Sequence, residues 1–221
     1  IFEASLVGSD NLTDLAVLKI RANNLSTIPQ NSNRQAHVGD VVLAIGNPYN
    51  LGQSVSQGII SAVGRNAVGD SVGRQNFIQT DASINRGNSG GALINSAGEL
   101  VGISTLSIGK TANEIAEGLN FAIPMDIAND VLQKIIRDGR VIRGYFGVQS
   151  DISSSSEEGI VITGVSPNSP AAKAGIQLGD VILKLNNQEG ISAREMMQII
   201  ANTKPNSKVL VTILRLGKIL Q

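Results

Sequence analysis

The 221-residue sequence predicts a mostly β protein that ends in a smaller α+β domain. Glycine makes up 24 of the 221 residues, about 11% against a usual ~7%, which is typical of turn-rich β proteins. Short apolar runs separated by glycine, asparagine and serine fill the first 120 residues at the spacing of a barrel or sandwich. Beyond residue 145 the pattern changes to alternating strand-like and helix-like segments.

The β-rich part begins with residues 1–7, where apolar and polar side chains alternate as in a strand. A second apolar strand follows residue 14. The polar, glycine-containing stretch 65–74 is expected to form an exposed loop. Further strands are predicted at residues 41–45, 58–63, 76–79, 92–95, 100–106 and 120–123.

A helix is predicted after Pro124, because apolar residues recur there at offsets that place them on one helix face. Gly139 is well placed to end it. The predicted apolar stripe consists of Ile127, Val131, Leu132, Ile135 and Ile136.

A domain boundary is predicted near residue 140, which divides the chain into residues 1–140 and 141–221. The serine- and acid-rich run 151–159 is expected to be a loop. Ser169 followed by Pro170 opens a short helix that ends at Gly175. A second helix begins with the capping-box sequence 192–195, and strands are predicted at residues 159–165, 180–185 and 208–214.

The composition excludes several functional classes. A formal net charge of +0 and only two tyrosines argue against a nucleic-acid surface, which requires a basic patch. The absence of cysteine rules out disulfides and thiolate ligands, and no cluster of histidines and carboxylates suggests a metal or an organic cofactor. The longest apolar run has about five residues, whereas a membrane-spanning helix needs ~20.

The strongest candidate for chemistry is Ser89, in the sequence Gly87-Asn88-Ser89-Gly90-Gly91 between two apolar runs. Glycine tolerates positive φ and close backbone approach, so this loop can direct the N–H groups of Gly87 and Ser89 at one point. Such a pair forms an oxyanion hole. An ordinary asparagine-serine-glycine turn has the same residue types, so both interpretations stay open at this point.

A nucleophilic serine requires a histidine base and a carboxylate that orients it. The sequence contains one histidine, His37, which lies in a polar turn before the strand at 41–45 and is typical of a solvated residue. Asp14 stands at the start of an apolar strand and is a candidate carboxylate, although aspartates in this position commonly cap turns.

Five ordered blocks of the sequence together resemble the HtrA (Deg) family of trypsin-like serine proteases. Residues 46–53 and 136–145 are most similar to its stress-sensing members with one PDZ domain. The resemblance implies a double β-barrel followed by a PDZ domain, with Ser89 as nucleophile, Asp14 as orienting carboxylate, and Gly87 and Ser89 as oxyanion donors. The blocks lie at residues 14–19, 44–48, 57–61, 80–93 and 98–103.

The sequence departs from the family order of histidine, aspartate, serine, because no histidine precedes Asp14. We therefore expect that the first barrel is incomplete in this chain and that the chain alone is inactive. We also expect the last PDZ strand to be truncated at Gln221. By resemblance, we expect the complete protein to be a homotrimer of the bacterial periplasm, either free or anchored to the inner membrane by a segment absent from this chain.

The resemblance also implies a peptide-binding loop and a regulatory loop. The peptide-binding loop consists of Tyr145, Phe146, Gly147 and Val148. It matches the segment that holds a peptide carboxylate in PDZ domains. Tyr145 and Phe146 are alternatively interdomain core. By resemblance, Arg65 is a loop arginine that helps to hold the active arrangement, and Arg86 precedes the peptide to Gly87 whose orientation opens or closes the oxyanion hole. Arg65 is also typical of a solvated charge.

These observations predict an ATP-independent serine endopeptidase of the bacterial envelope that is regulated by C-terminal peptides at its PDZ domain. Its expected substrates are unfolded proteins or a regulatory membrane protein. No cofactor, metal or nucleic acid is expected. The alternative is a noncatalytic chaperone or peptide-binding scaffold that keeps the protease fold.

Overall fold

The computed structural model describes residues 2–30, 36–65, 76–107, 118–150 and 159–221. The predicted loops at 65–74 and 151–159 lie almost wholly outside these ranges. The chain divides into two compact units, Ile1–Val141 and Ile142–Gln221.

The first unit opens with an antiparallel hairpin of strands β1 (Ala4–Asp10) and β2 (Leu15–Ile20). Asp10 pairs with Leu15, so residues 11–14 form the connecting turn. Within this turn Thr13 is buried, and its hydroxyl donates to the Asp10 carboxylate at 2.5 Å. The hairpin turn is therefore fixed internally, and Asp14 follows directly at the start of β2.

Six further strands close into a barrel in the order β3-β4-β5-β8-β7-β6. Alternation along each strand buries one set of side chains, such as Val42 and Ala44 of β3, while their neighbour Val41 stays exposed. The barrel is filled by Val42, Ala44, Ile60, Ile78, Leu93 and Ala122. The strands are β3 (Val41–Gly46), β4 (Ser54–Arg65), β5 (Phe77–Thr80), β6 (Ala92–Asn95), β7 (Leu100–Ser107) and β8 (Asn120–Pro124).

Helix α1 (Met125–Asp138) packs on this barrel, as the periodicity predicts. Gly139 adopts the left-handed conformation at φ 71° and donates to the Ile135 carbonyl at 2.8 Å, which ends the helix. Val131 and Ile135 are buried, but Ile136 is 60% exposed. The buried face is thus narrower than the predicted five-residue stripe.

The second unit contains an antiparallel sheet in the order β14-β13-β11-β10-β9, with β12 paired to β11. The predicted caps are present: Ser169 accepts from the Ala172 N–H at 3.1 Å, and Ser192 forms a reciprocal capping box with Glu195. The elements are β9 (Val148–Ser150), β10 (Ile160–Val165), α2 (Pro170–Lys173), β11 (Val181–Leu185), β12 (Gln188–Glu189), α3 (Ala193–Asn202), β13 (Val211–Arg215) and β14 (Lys218–Leu220).

A buried ion pair connects two parts of this second unit. The Asp180 side chain is 1% exposed and accepts two hydrogen bonds from Arg215, at 2.6 and 2.7 Å. It also accepts from the Gln177 N–H at 2.8 Å. The Arg215 guanidinium holds the pKa of the Asp180 carboxyl below its ordinary value of 3.8. This pair therefore fixes β13 against the loop that precedes β11.

The predicted fold class is confirmed: the chain is mostly β, with a closed six-stranded barrel and an α+β second unit. The short strands β9, β12 and β14 have too few residues to produce a recognisable alternation. Among the described helices, none has both the length and the apolar character needed to cross a bilayer.

Candidate active site and peptide groove

The nucleophile loop, residues 81–91, connects β5 to β6 at one end of the barrel. Gly87 and Gly90 have φ values of 103° and 83°, which favour glycine. The Gly90 N–H donates to the Ser104 carbonyl at 2.7 Å, and the Gly91 N–H donates to the Asn88 carbonyl at 2.9 Å. The loop is thereby coiled back on itself and joined to β7.

The loop packs against the backbone of residues 45–49, at the end of β3. A side-chain Cβ at Gly87 would lie 2.5 Å from the Asn47 carbonyl oxygen, and one at Gly91 would collide with the Ile45 carbonyl. Conversely, a Cβ at Gly46 would collide with the Asn88 side chain. Glycine at these positions is therefore required by close packing as well as by φ.

One hydrogen bond sets the orientation of the peptide between Arg86 and Gly87. The Tyr49 N–H donates to the Arg86 carbonyl at 2.9 Å. Because the C=O and N–H of a trans peptide point in opposite directions, the Gly87 N–H faces away from Tyr49. Among the hydrogen bonds of the described residues, none is donated by the N–H of Gly87 or Ser89. Both donors are thus available to a ligand.

Ser89 and Asp14 are brought together through Thr105 of β7. The Ser89 hydroxyl donates to the Thr105 carbonyl oxygen at 2.5 Å. The Thr105 hydroxyl donates to Asp14 Oδ2 at 3.2 Å. The two residues are 75 positions apart in sequence, and a single buried threonine contacts both. This arrangement places a hydroxyl nucleophile and a carboxylate at the same end of the barrel.

His37 lies at the other end of β3 from the nucleophile loop. The backbone N–H of His37 donates to Asp40 Oδ2 at 3.0 Å, and the ring Nδ1 is 3.9 Å from the same oxygen. The five steps along β3 from Val41 to Gly46 span roughly 16 Å. The structure therefore does not bring the chain's one histidine to Ser89.

The two arginines are not joined to each other by any hydrogen bond of the described residues. Arg65, at the end of β4, donates from Nε to Gln79 Oε1 at 2.9 Å. Gln79 belongs to β5, which leads directly into the nucleophile loop. The Arg86 side chain is exposed, and its backbone carbonyl carries the bond from Tyr49.

In the second unit, the Tyr145 loop (residues 145–148) leads into β9. Gly147 is buried at φ 85°, and a Cβ there would collide with Ser169. Its carbonyl accepts from the Ser166 N–H at 2.8 Å, and the Phe146 carbonyl accepts from the Ala171 N–H at 2.9 Å. No hydrogen bond within the described ranges uses the N–H groups of Tyr145, Phe146 and Gly147 as donors. Three backbone donors therefore remain available in this loop.

Apolar side chains of the loop and of α3 lie near these donors. Strand β9 is an edge strand, with β10 as its neighbour in the described sheet. The Gly144 N–H donates to the Ala201 carbonyl at 3.2 Å, which places the start of the loop beside the last turn of α3. Phe146 and Val148 pack on the same core cluster as Met196, Ile199 and Ile200 of α3. Tyr145 is 65% exposed.

Comparison with known proteins identifies both units. A family model for the trypsin-like peptidase domain matches residues 1–103, and one for the PDZ domain matches residues 134–214. The crystal structure of a serine endoprotease from Yersinia pestis has a TM-score of 0.86 and 56% identity, over 99% of this chain and 73% of that one. An HtrA-type protease, AlgW, solved with a decapeptide, has a TM-score of 0.91 and 44% identity, over 99% of this chain and 69% of that one.

The chain belongs to the HtrA family of trypsin-like serine proteases. The serine endoprotease DegS of Haemophilus influenzae is 96% identical over the whole of this chain, which spans 65% of that protein. DegS of Escherichia coli strain K12 is 55% identical over 97% of this chain and 63% of its own length. The chain thus spans less than two thirds of the curated relatives it matches.

Sequence reasoning missed Thr105 and Asn88. Thr105 lies inside β7 between Ser104 and Leu106, and nothing in the sequence distinguishes it from other polar strand residues. Asn88 is 4% exposed and its Oδ1 has no partner among the described residues, but nothing in the sequence distinguishes it from a turn asparagine.

Proposed function

We propose that this chain carries the nucleophile, the orienting carboxylate and the oxyanion donors of an ATP-independent serine endopeptidase. The observation that carries the proposal is the connection from Ser89 through Thr105 to Asp14. In this proposal Ser89 attacks the peptide carbonyl and forms an acyl-enzyme. The N–H groups of Gly87 and Ser89 stabilise the negative oxygen that develops in the transition state.

The general base must be a histidine from outside these 221 residues, because His37 lies at the opposite end of β3. In a triad, the aspartate orients the imidazole and stabilises its charged form. Asp14 is suited to this role, since the Thr105 hydroxyl fixes one of its oxygens while the side chain stays exposed. The imidazole would lie between Asp14 and the Ser89 hydroxyl, which in this chain donates to the Thr105 carbonyl instead.

We further propose that residues 141–221 act as a PDZ domain that binds peptide C-termini. An extended peptide would add to the open edge of β9, and its carboxylate would accept from the free N–H groups of the Tyr145 loop. Phe146 and Val148, together with α3, would form the apolar pocket for the last side chain. The HtrA-type protease AlgW has been solved with a tripeptide and with a decapeptide, which supports peptide binding by this chain.

Peptide binding is proposed to regulate cleavage through the nucleophile loop. The Arg86–Gly87 peptide is held by one hydrogen bond from Tyr49, so a modest free-energy change can reverse its orientation. Arg65 is bonded to Gln79 of β5, and it would favour the active arrangement by fixing the strand that leads into the loop. Arg65 thus acts on the loop indirectly in this proposal.

The proposed setting is the bacterial envelope, with the complete protein periplasmic and trimeric, either free or attached to the inner membrane. DegQ of Escherichia coli, which is named as periplasmic, is 41% identical over 230 residues. The proposed substrates are unfolded proteins or a regulatory membrane protein.

The test compares the 221-residue chain with a longer form that includes the preceding histidine-containing segment. Hydrolysis of an unfolded protein is expected from the longer form and not from the chain alone, because a serine without a base loses most of the triad's rate advantage. If the longer form binds peptides but hydrolyses nothing, the noncatalytic scaffold replaces the protease. Hydrolysis by the chain alone would contradict the assignment of the base.

Regulation is tested on the longer form with a peptide that has an aromatic last residue, as the free acid and as the C-terminal amide. The acid should raise the rate and the amide should not, because the amide lacks the charge that the backbone donors bind. Arg65→Ala should reduce activation without weakening peptide binding in calorimetry. Equal activation by acid and amide would refute the carboxylate site, and full activation of Arg65→Ala would refute the role of Arg65.

A further inference from the structure

Strand β4 continues past the end of its neighbour β5 and runs beside the start of the nucleophile loop. The backbone pairing of these two strands ends at Ile60 and Thr80, where β5 stops. Residues 54–59 of β4 extend beyond this point. The loop residues opposite this extension are 81–83, which we call the rising limb. Side chains rather than a strand ladder join the rising limb to β4.

The first of these side-chain bonds is made by Asp81. Its Oδ1 accepts from the Ile59 backbone N–H at 2.7 Å, one residue beyond the last strand pair. A hydrogen bond to an ionised carboxylate is stronger than one between neutral groups. The Asp81 side chain therefore takes the place of the backbone carbonyl that a longer β5 would supply to β4.

Gly58 permits this close approach of the loop. It is not among the glycines at positive φ, so its backbone conformation does not require glycine. A Cβ at Gly58 would collide with Asp81 Oδ1 and with the backbone nitrogen of Ala82. Glycine is needed at this position because the rising limb lies directly against β4.

A second bond holds the other end of the rising limb. The Ser56 hydroxyl donates to the Ser83 carbonyl oxygen at 2.8 Å. Between the two bonds, the Ala82 N–H donates to the Thr80 hydroxyl at 3.1 Å, and the Ala82 side chain is fully buried. The rising limb is thus fixed at both ends and in its middle.

The rising limb leads directly into the turn that carries the first oxyanion donor. Ile84 follows it, is 4% exposed and packs in the barrel core. The Asn85 carbonyl then accepts from the Asn88 N–H at 2.9 Å, and this turn contains the peptide between Arg86 and Gly87. A displacement of the rising limb is therefore transmitted to the Gly87 N–H through a short, anchored stretch of backbone.

We propose that Asp81 and Ser56 are positioning residues of the serine endopeptidase, which hold the rising limb so that the N–H groups of Gly87 and Ser89 converge on the oxyanion. This inference rests on the function proposed for the nucleophile loop. In it, neither side chain contacts the substrate, and both act through the backbone of residues 84–87. Because the oxyanion develops only in the transition state, loss of either bond lowers kcat and leaves KM nearly unchanged.

The first test measures peptide hydrolysis by the histidine-containing longer form. Asp81→Ala should lower kcat about tenfold and Ser56→Ala about fivefold, each with KM unchanged. Asp81→Asn keeps an oxygen that can accept from the Ile59 N–H, so it should recover most of kcat. The matched control is Asp40→Ala, because Asp40 also accepts a backbone N–H, that of His37, but at the other end of β3. Any loss of thermal midpoint in this control should occur without a loss of kcat.

The second test needs no hydrolysis and uses amide hydrogen exchange on the 221-residue chain. The Tyr49 N–H, which donates to the Arg86 carbonyl, reports the orientation of the loop. It should exchange about tenfold faster in Asp81→Ala than in the native chain or in Asp40→Ala. If the longer form hydrolyses nothing, the proposed function fails, and this exchange rate alone decides whether Asp81 positions the loop.

Three outcomes would overturn the proposal: unchanged exchange at Tyr49, a raised KM with unchanged kcat, or equal losses of kcat in Asp81→Asn and Asp81→Ala. Ser56→Ala is measured in the same two ways, and it decides the proposal if Asp81→Ala does not fold.

Discussion

The nucleophile loop and the Tyr145 loop both present backbone N–H groups, but they differ in how far apart in the sequence their supporting residues lie. Each loop contains a glycine at positive φ, and the atoms around this glycine leave no room for a side chain. The Tyr145 loop is completed by α2, α3 and β10, all within the second unit. The nucleophile loop instead depends on residues 14, 45–49 and 105, far away in sequence. The candidate site at the Tyr145 loop is local, whereas the one at the nucleophile loop is assembled from distant segments of the first unit.

This difference predicts where each function is vulnerable. A site built from distant segments loses chemistry when one group is removed, while the fold survives. A site built from one compact unit depends directly on the stability of that unit. The following four changes test this contrast, beginning with the largest expected effect.

In a histidine-containing longer form, Ser89→Ala should reduce peptide hydrolysis by about 10⁶-fold, because no other group can form the acyl-enzyme. The thermal midpoint and peptide binding by the second unit should stay unchanged, since the Ser89 side chain makes one hydrogen bond, to Thr105. Ser96→Ala, in an exposed turn, is the control. Undiminished hydrolysis by Ser89→Ala would remove this residue from the mechanism.

Asp180→Asn should destabilise the second unit by about 3 kcal/mol, because it removes the buried carboxylate that accepts two hydrogen bonds from Arg215 and one from the Gln177 N–H. Glu189→Gln, which removes an exposed ion pair with Lys184, should have almost no effect. Denaturant unfolding of the second unit is the measurement. Similar losses in the two variants would show that burial of the pair is unimportant.

The same pair gives a pH dependence with a defined sign. Since the folded-state pKa of Asp180 is lowered, its contribution is present above the unfolded value of 3.8 and is lost as the pH falls through the folded value. The second unit of the native chain should therefore lose stability in acid more steeply than that of Asp180→Asn. Parallel curves for the two proteins below pH 4 would contradict this account.

Gly147→Ala should weaken binding of C-terminal peptides about 100-fold, because a Cβ collides with Ser169 and left-handed backbone costs a further ~1–2 kcal/mol. Gly190→Ala is a matched control: its φ is +63°, but a Cβ there meets nothing within 4 Å. Gly190→Ala should lose only the stability that a left-handed backbone costs, and its affinity for peptide should be unchanged. Calorimetric titration separates the two, and equal losses would show that the collision does not matter.

Thr105→Val should lower kcat/KM about tenfold by removing the hydroxyl bonded to Asp14 while keeping the carbonyl that accepts from Ser89. Thr105→Ser should restore most of the rate. A purely structural role would lower the thermal midpoint without changing the pH profile of kcat/KM. A positioning role predicts a changed profile in Thr105→Val alone.

Elements with strong local signals were predictable from the sequence. The caps at Ser169, Ser192 and Gly139 were found because each depends on residues within one turn of it. The extent of the apolar stripe of α1 was overestimated, because exposure of Ile136 depends on how the helix lies on the barrel. Strand β9 is three residues long and was recognisable only as part of the Tyr145 loop.

The candidate site was predictable only in part. Ser89, Gly87 and Asp14 were identified from loop composition and from resemblance, and their roles remain predictions. Thr105 could not be identified, because the contact depends on a register that joins residues 91 positions apart. The bond between Tyr49 and Arg86 was equally invisible, since any residue except proline supplies a backbone N–H.

The packing of Gly46, Gly87 and Gly91 has a consequence for how such a protein can change over generations. The segment 45–49 and the nucleophile loop touch through backbone atoms, so neither can tolerate an altered path unless the other alters too. A library that randomises one of these segments alone should yield almost only inactive variants. A library that randomises both together should also contain variants in which the changes compensate for each other. The two segments are therefore constrained to change together, although strands β4 and β5 separate them in the sequence.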